Sequence, residues 1–463
     1  MADFAANPIP TPEPIQYSRD PGTTAWGIIL LSFSALCILV ILSGAGVYNF
    51  IFHSTVPLIT NLTVARGTVL ARDDTSATTS INEMWELNGS QHLWTYSQMQ
   101  GTLTVRDVRD DAFIVAVTIK RDTNVYMSSA SRPRFDLSSD AYEIVIQEFS
   151  GSLDVYIPEG LTRSINVNIY TNSGTWVQIT QAGSYTLNEN VGQIQVDTFN
   201  GMAVVVSPDQ QWRGILTGQR GMFNTGTNTF SIGPTPRDLI ENNSFQQINT
   251  ARPWQDETAE LRDLPLVWRC VDLPNDAPKG YYGLAAVDGR TSMHLFRGDG
   301  ALSHGETYCG QFFAPPEDAS GIDVSSYDIL TLRSVFRIDN QSLRVCGNDG
   351  SECPLIISIE FVDVNGEEQI WYHGFYIQDP TQRVPANFPL RCASCAQEHD
   401  AINRGAWYTY ESENLFSLIP ANTRPRAIRS VRFYASGHEY NTYVSQFSLF
   451  AEQLPVEATV TTP

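Results

Sequence analysis

Between Ala25 and Phe52 the chain reads AWGIILLSFSALCILVILSGAGVYNFIF, without one charged side chain. A helix needs about 20 apolar residues to cross the hydrocarbon layer of a bilayer, so this segment is long enough to span one. A cleaved signal peptide requires a basic start and a shorter apolar core. The residues before Ala25 instead carry Asp3, Glu13 and Asp20 against a single Arg19. The expectation is an uncleaved transmembrane helix over 25–52. Arg19 is the basic residue nearest the span, and the next, Arg66, lies well beyond its other end. The positive-inside rule therefore predicts a cytoplasmic N-terminus, with the rest of the chain extracytoplasmic. Pro8, Pro10, Pro12, Pro14 and Pro21 interrupt residues 1–24, which read as a disordered cytoplasmic tail.

Of the seven cysteines, Cys37 falls inside the span, while Cys270, Cys309, Cys346, Cys353, Cys392 and Cys395 cluster in the C-terminal half. An even, clustered set beyond a membrane span predicts three disulfides formed in an oxidising compartment. Six cysteines allow fifteen connectivities. Proximity in sequence favours Cys270 with Cys309, Cys346 with Cys353 and Cys392 with Cys395. In CGNDGSEC the Asn348-Asp349-Gly350 core is turn chemistry that brings Cys346 and Cys353 together. Closing so short a loop contributes about 2.5 kcal/mol in the chain-entropy model. Zinc is the rival reading of CASC at 392–395, but Cys346 and Cys353 are too far apart for the usual first ligand pair.

The chain has 463 residues, enough for two cores, and 29 Lys+Arg against 50 Asp+Glu, a net charge of -21. Such a chain repels polyanions, so nucleic acid is not an expected partner. Residues 53–223 contain short runs of β-formers such as FIVAVTI, YEIVIQEF, LDVYI, INVNIY and IQVDTFNGMAVVV, with no helical period. Asn200-Gly201 reads as a hairpin turn that sets Ile194, Val196 and Thr198 on one face and pairs their strand with Met202–Val206. Residues 224–238, rich in Gly, Thr and Pro, read as a linker. From 239 to 452 strands resume, with turns at Asp288-Gly289, Asp349-Gly350 and Asn365-Gly366, and a two-sheet jelly roll is expected. Residues 453–463 read as a disordered tail. The predicted class is all-β, with one N-terminal transmembrane helix.

The order LTVARGTVLA, GSLDVYIPEG, INVNIYTNSGTWVQITQAGSYTL, GQIQVDTFNGMAVVV and GILTGQRGMF resembles the periplasmic β-domain of ferric-dicitrate-sensor (FecR-like) proteins, with Gly183-Ser184-Tyr185 and Gly218-Gln219 at the family's turn positions. That resemblance implies a stacked β-domain in a bacterial envelope protein, with an envelope partner and transmembrane signalling as an alternative function. Signalling members carry a helical cytoplasmic segment, which the proline-broken tail departs from. DLIENNSFQQINTARPW and RSVRFYASGHEYNTYVSQFSLFAE resemble the first and last strands of carbohydrate-binding modules with the galactose-binding-like jelly roll. This implies a glycan ligand rather than catalysis, and room for a structural calcium ion, with Asp299, Glu306 and Asp363 as candidates by type.

Sugar sites use aromatic faces against pyranose C–H groups, flanked by polar partners for the hydroxyls. Trp371, His373, Trp407 and Tyr410 are the candidate ligand-binding residues, drawn from QIWYHGFY and WYTY. Trp371, His373 and Phe375 alternate with Tyr372 and Tyr376, so only one of the two sets can face a ligand. A glycoside hydrolase is the enzyme alternative, but there is no GxSxG or HExxH motif. Asp299, Ser303 and His304 share a loop without forming a recognisable triad. Arg297-Gly298-Asp299 has the form of an adhesion tripeptide.

Overall fold

A computed structural model describes residues 21–73, 77–245, 268–272, 277–298, 300–301, 303–313, 321–342, 346, 352–377 and 399–454. The protein is all-β with one N-terminal apolar helix. The helix runs Pro21–His53, and its most apolar window has a mean hydropathy of 2.6 with no residue buried. It is long and apolar enough to cross a membrane. It forms one compact unit with residues 133–140. There Phe135 meets Phe50 edge-on at 5.4 Å, and the Arg134 amide donates to Ser54 O at 2.8 Å.

The β part is a second compact unit. Its N-terminal half is organised by one long strand, Tyr142–Ile157, which belongs to two sheets. The first half of the strand pairs in parallel with Ile165–Thr171, and the second half pairs antiparallel with Gly183–Asn190 and Phe113–Ile119. The register breaks between Ile146 and Phe149, where Glu148 adopts a φ of 51°. Gly151 follows at φ 106°, and a Cβ there would lie 2.6 Å from Asp122 O. Only glycine fits this bend, which carries the strand from one sheet to the next. Inward residues of both sheets, such as Leu62, Leu103, Ile144, Val155, Leu187 and Val205, form a single core.

Two expectations are corrected. Ile194, Val196 and Thr198 are buried on one face, but their strand pairs with Gly183–Asn190 and Gln219–Asn224, whereas Met202–Val206 pairs with Trp176–Ile179 and Trp212–Leu216. Asn200-Gly201 thus carries the chain between sheets, so that Val196 and Val205 enter one core from opposite sides. The second correction concerns residues 224–238, which are no free linker. Thr229–Pro234 pairs with Gln219–Asn224, and Arg237–Asp238 joins Tyr440–Glu452. The turn between the first two strands is closed by Thr227 N–H donating to Asn224 Oδ1 at 3.0 Å, so polar turn residues serve strand pairing here.

The C-terminal half is a two-sheet sandwich. One sheet has the order Tyr281–Val287, Arg290–Arg297, Tyr440–Glu452, Ile329–Gln341, Trp407–Glu411. The facing sheet has the order Arg269–Asp272, Gly305–Phe312, Pro425–Gly437, Cys353–Asp363, Glu368–Ile377, Asp400–Ile402. Met293, Leu295, Phe336, Ile357, Phe433 and Phe447 fill the space between them. Cys270 and Cys309 occupy opposed positions on neighbouring strands and are bonded, as are Cys346 and Cys353. Cys392 and Cys395 lie outside the described residues, as do residues 246–267 and the tails at 1–20 and 455–463.

Candidate carbohydrate-binding face

The four side chains expected to bind ligand, Trp371, His373, Trp407 and Tyr410, are buried, so none of them presents a ring face to solvent. Strand alternation sends Trp371, His373 and Phe375 into the core, where His373 stacks on Tyr410 at 5.0 Å and meets Phe375 edge-on at 4.8 Å. The His373 imidazole lies 3.5 Å from Asp400, which pairs with Arg66 at 2.8 Å. Burial, its largest influence, lowers the His373 pKa and keeps the ring neutral at physiological pH. Trp407 faces the other way, out of the sandwich, but the N-terminal β half covers it. Its indole N–H donates to Asp288 at 3.0 Å, and the Arg290 guanidinium lies 5.5 Å from its ring.

Other aromatics on the sheet that carries Trp407 are exposed. In RTSMHLFR, Met293 and Leu295 point inward, so His294 and Phe296 point out. Across the register, Tyr281 faces Phe296, and Tyr443 faces His294. Tyr281 and Phe296 remain 52% and 39% exposed, large values for aromatic rings on a sheet. His294 stacks on Tyr443 at 4.2 Å and 8°, nearly parallel. Tyr281 and Phe296 flank His294 at 5.8 and 5.7 Å. Gly283 makes this arrangement possible: a Cβ there would lie 2.2 Å from the Tyr281 hydroxyl, so the tyrosine ring folds back over its own strand.

Polar groups border the strip. His294 Nε2–H donates to Asn441 Oδ1 at 2.8 Å, and burial lowers the imidazole pKa, so the ring is neutral at physiological pH. Asn340 donates to Glu439, and Arg404 donates from Nε to Asp339 O at 2.6 Å. Asp339 in turn accepts from Arg337 at 2.6 Å. Ring faces therefore stand beside an amide, carboxylates and an exposed guanidinium, the chemistry that a hydroxylated ring with apolar C–H faces requires. Alternation alone could have pointed to His294 and Phe296. QIWYHGFY is denser in aromatics, and the alternate residues Trp371, His373 and Phe375 of that run are buried.

Other candidates resolve into structural roles. Arg297 is buried and donates to the backbone oxygens of Pro278, Ser303 and Gly437, so the tripeptide arginine is not displayed. His304 hydrogen-bonds Ser436 at 2.8 Å rather than Ser303. Asp363 accepts the amides of Asn365 and Glu367 at 2.8 and 2.9 Å and closes the Asn365-Gly366 turn. Asp299 lies outside the described residues, and no group of three or more potential metal ligands converges among those described. Asp154 and Glu411 are both held by Lys120, at 3.1 and 2.9 Å. The attraction of Lys120 holds Glu411 down to about 2, opposite to the raised pKa of a general acid.

No family model and no curated protein sequence matches the chain. Among solved structures, a putative anti-sigma factor from Parabacteroides distasonis is similar at 11% identity and a TM-score of 0.24, over 31% of this chain and 60% of that one. The chain thus spans about three-fifths of that structure's length. A family 11 carbohydrate-binding module of the cellulosomal cellulase Lic26A-Cel5E of Clostridium thermocellum is similar at 11% identity and TM-score 0.25, over 48% of this chain and 98% of the module. TmCBM61, solved in complex with β-1,4-galactotriose, is similar at 11% identity and TM-score 0.23, over 47% and 99%. Likeness at this level carries no information about ligand.

Proposed function

We propose that the protein is a membrane-anchored, extracytoplasmic glycan-binding protein that takes a neutral polysaccharide on the Tyr281–His294–Phe296–Tyr443 strip. The observation that carries this reading is a row of solvent-facing rings on one sheet, bordered by Asn441, Asn340, Asp339 and Arg404. An exposed aromatic row costs solubility unless a ligand uses it, and a pyranose offers matching C–H and hydroxyl groups. The Pro21–His53 helix supports membrane anchoring, and the two disulfides support an oxidising compartment for the β part.

The test is a glycan screen of the full-length protein in detergent micelles, repeated with Tyr281→Ala and Phe296→Ala. A glycan whose affinity falls at least about tenfold in both variants, equivalent to about 1.4 kcal/mol, supports the reading. Retention of every bound glycan in both variants, or no binding across the screen, overturns it.

A further inference from the structure

Arg290 opens the strand Arg290–Arg297, directly after the Asp288-Gly289 turn, and its side chain is buried to 8% exposure. Its guanidinium lies 4.1 Å from the Tyr156 ring centre and 5.5 Å from that of Trp407. Its neighbours are differently placed. Arg106 and Arg337 share Asp288, Arg333 pairs with Asp154 at 3.1 Å, and Arg220 pairs with Asp197 and Glu452, each at 2.7 Å. Arg290 has no such carboxylate among the described residues, and its Nε has no hydrogen-bond partner. Asp154 and Asp288 act on it only at a distance, both already held by other cations. Tyr156 supplies a ring face and no charge, because its hydroxyl donates to Gly289 O at 2.9 Å.

Burying a cation without a counter-charge costs several kcal/mol, so an unpaired buried guanidinium calls for a partner. Arg290 lines a cavity of about 510 Å³, within the range of small-ligand sites. The rest of the lining is mixed and includes the carboxyls of Glu159 and Asp238. Phe199 and Phe450 stack at 5.2 Å, and Ser184, Asn200, Asn243 and Gln446 bring hydroxyl and amide groups. Burial pulls the Arg290 pKa down to about 10, which leaves it cationic at neutral pH.

We propose that this cavity is a second ligand site, which takes a uronic acid: the sugar carboxylate pairs with the Arg290 fork and the hydroxylated ring lies between the Phe199–Phe450 stack and the amides. A carboxylate fits better than phosphate, since a planar guanidinium matches two carboxylate oxygens and a dianion calls for more than one free cation. Arg237, the other arginine of the wall, already donates to the Tyr327 hydroxyl at 3.2 Å. The site is independent of the aromatic strip and does not require the strip to bind glycans.

The probes are D-glucuronate and D-galacturonate, with D-glucose, D-galactose and inorganic phosphate as controls, titrated into the full-length protein in micelles. Binding is read by saturation-transfer NMR and by the ligand-dependent rise in melting temperature. At least one uronate is expected to bind about tenfold more tightly than its neutral sugar, a difference of about 1.4 kcal/mol. Arg290→Gln should abolish that binding and the thermal shift, Arg290→Lys should weaken it by losing the fork, and Phe296→Ala should leave it unchanged. Asn200→Ala keeps the cation while removing a wall amide, and a several-fold loss of uronate affinity is expected even if Arg290→Gln fails to fold. No uronate binding, equal binding of neutral sugars, tighter binding of phosphate, or uronate binding lost in Phe296→Ala would each overturn the proposal.

Discussion

Asp288 joins the two β halves, and replacing it with alanine tests how strongly they are coupled. Its carboxylate accepts from Arg106 of the N-terminal half, from Arg337 at 2.8 Å and from the Trp407 indole at 3.0 Å, while remaining 22% exposed. In Asp288→Ala, Arg337 keeps Asp339 at 2.6 Å. Arg106 is left with Asp111 at 3.4 Å, whose side chain is 72% exposed and contributes little. The Trp407 N–H loses its acceptor beneath the N-terminal half. A buried donor without a partner costs about 1–3 kcal/mol, and a charge-assisted bond about 1.5–3 kcal/mol before discounting for solvent. The expected loss is about 3 kcal/mol. Denaturant unfolding of the full-length chain measures it, and a double-mutant cycle with Arg106→Gln isolates the bond between the halves. Coupling of about 1 kcal/mol is expected; additivity within about 0.5 kcal/mol would show that Asp288 does not join the halves.

The two bonded cysteine pairs differ in loop length, with separations of 39 and 7 residues. Removing Cys270–Cys309 should cost about 4 kcal/mol and removing Cys346–Cys353 about 2.5 kcal/mol, and the reverse order in denaturant melts would contradict the entropic account. Glu411 contributes through Lys120, which depresses its pKa from 4.5 to about 2. A depressed carboxyl contributes fully above pH 4.5 and loses that contribution as pH falls towards 2. Because the side chain is 48% exposed, the contribution is discounted to about 1–2 kcal/mol; it should vanish from the pH profile of Glu411→Gln, and an unchanged profile would remove this role. Gly283→Ala should cost less than about 1 kcal/mol, since the exposed Tyr281 ring can swing away, yet it should weaken glycan binding as much as Tyr281→Ala does. Equal glycan affinity in Gly283→Ala and the native protein would show that the folded-back ring is not used.

The helix and the all-β class were legible in the chain because each depends on local pattern: an uncharged run, and short β-branched runs without helical period. The course of the chain at Asn200-Gly201 was not legible. An Asn-Gly pair reports a reversal, but the flanking strands Gln193–Thr198 and Met202–Val206 go to different sheets because both bring apolar faces to one core. Residues 224–238 misled in the same way, since the polar residues of a linker are also those of a hairpin turn and an edge strand.

Sequence alone established that Trp371 and Tyr372 lie on opposite faces of a strand, because side chains alternate with period two. Which of those faces meets solvent was settled only when the sheets were stacked and the N-terminal half was laid over part of the sandwich. Trp371 and His373 fell inward, Trp407 pointed outward and was covered, and Tyr281 and Phe296 stayed open. The same stacking left Arg290 among rings without a carboxylate. Burial and pairing are properties of surfaces that meet from distant parts of the chain, and a local pattern carries no record of which surfaces will meet.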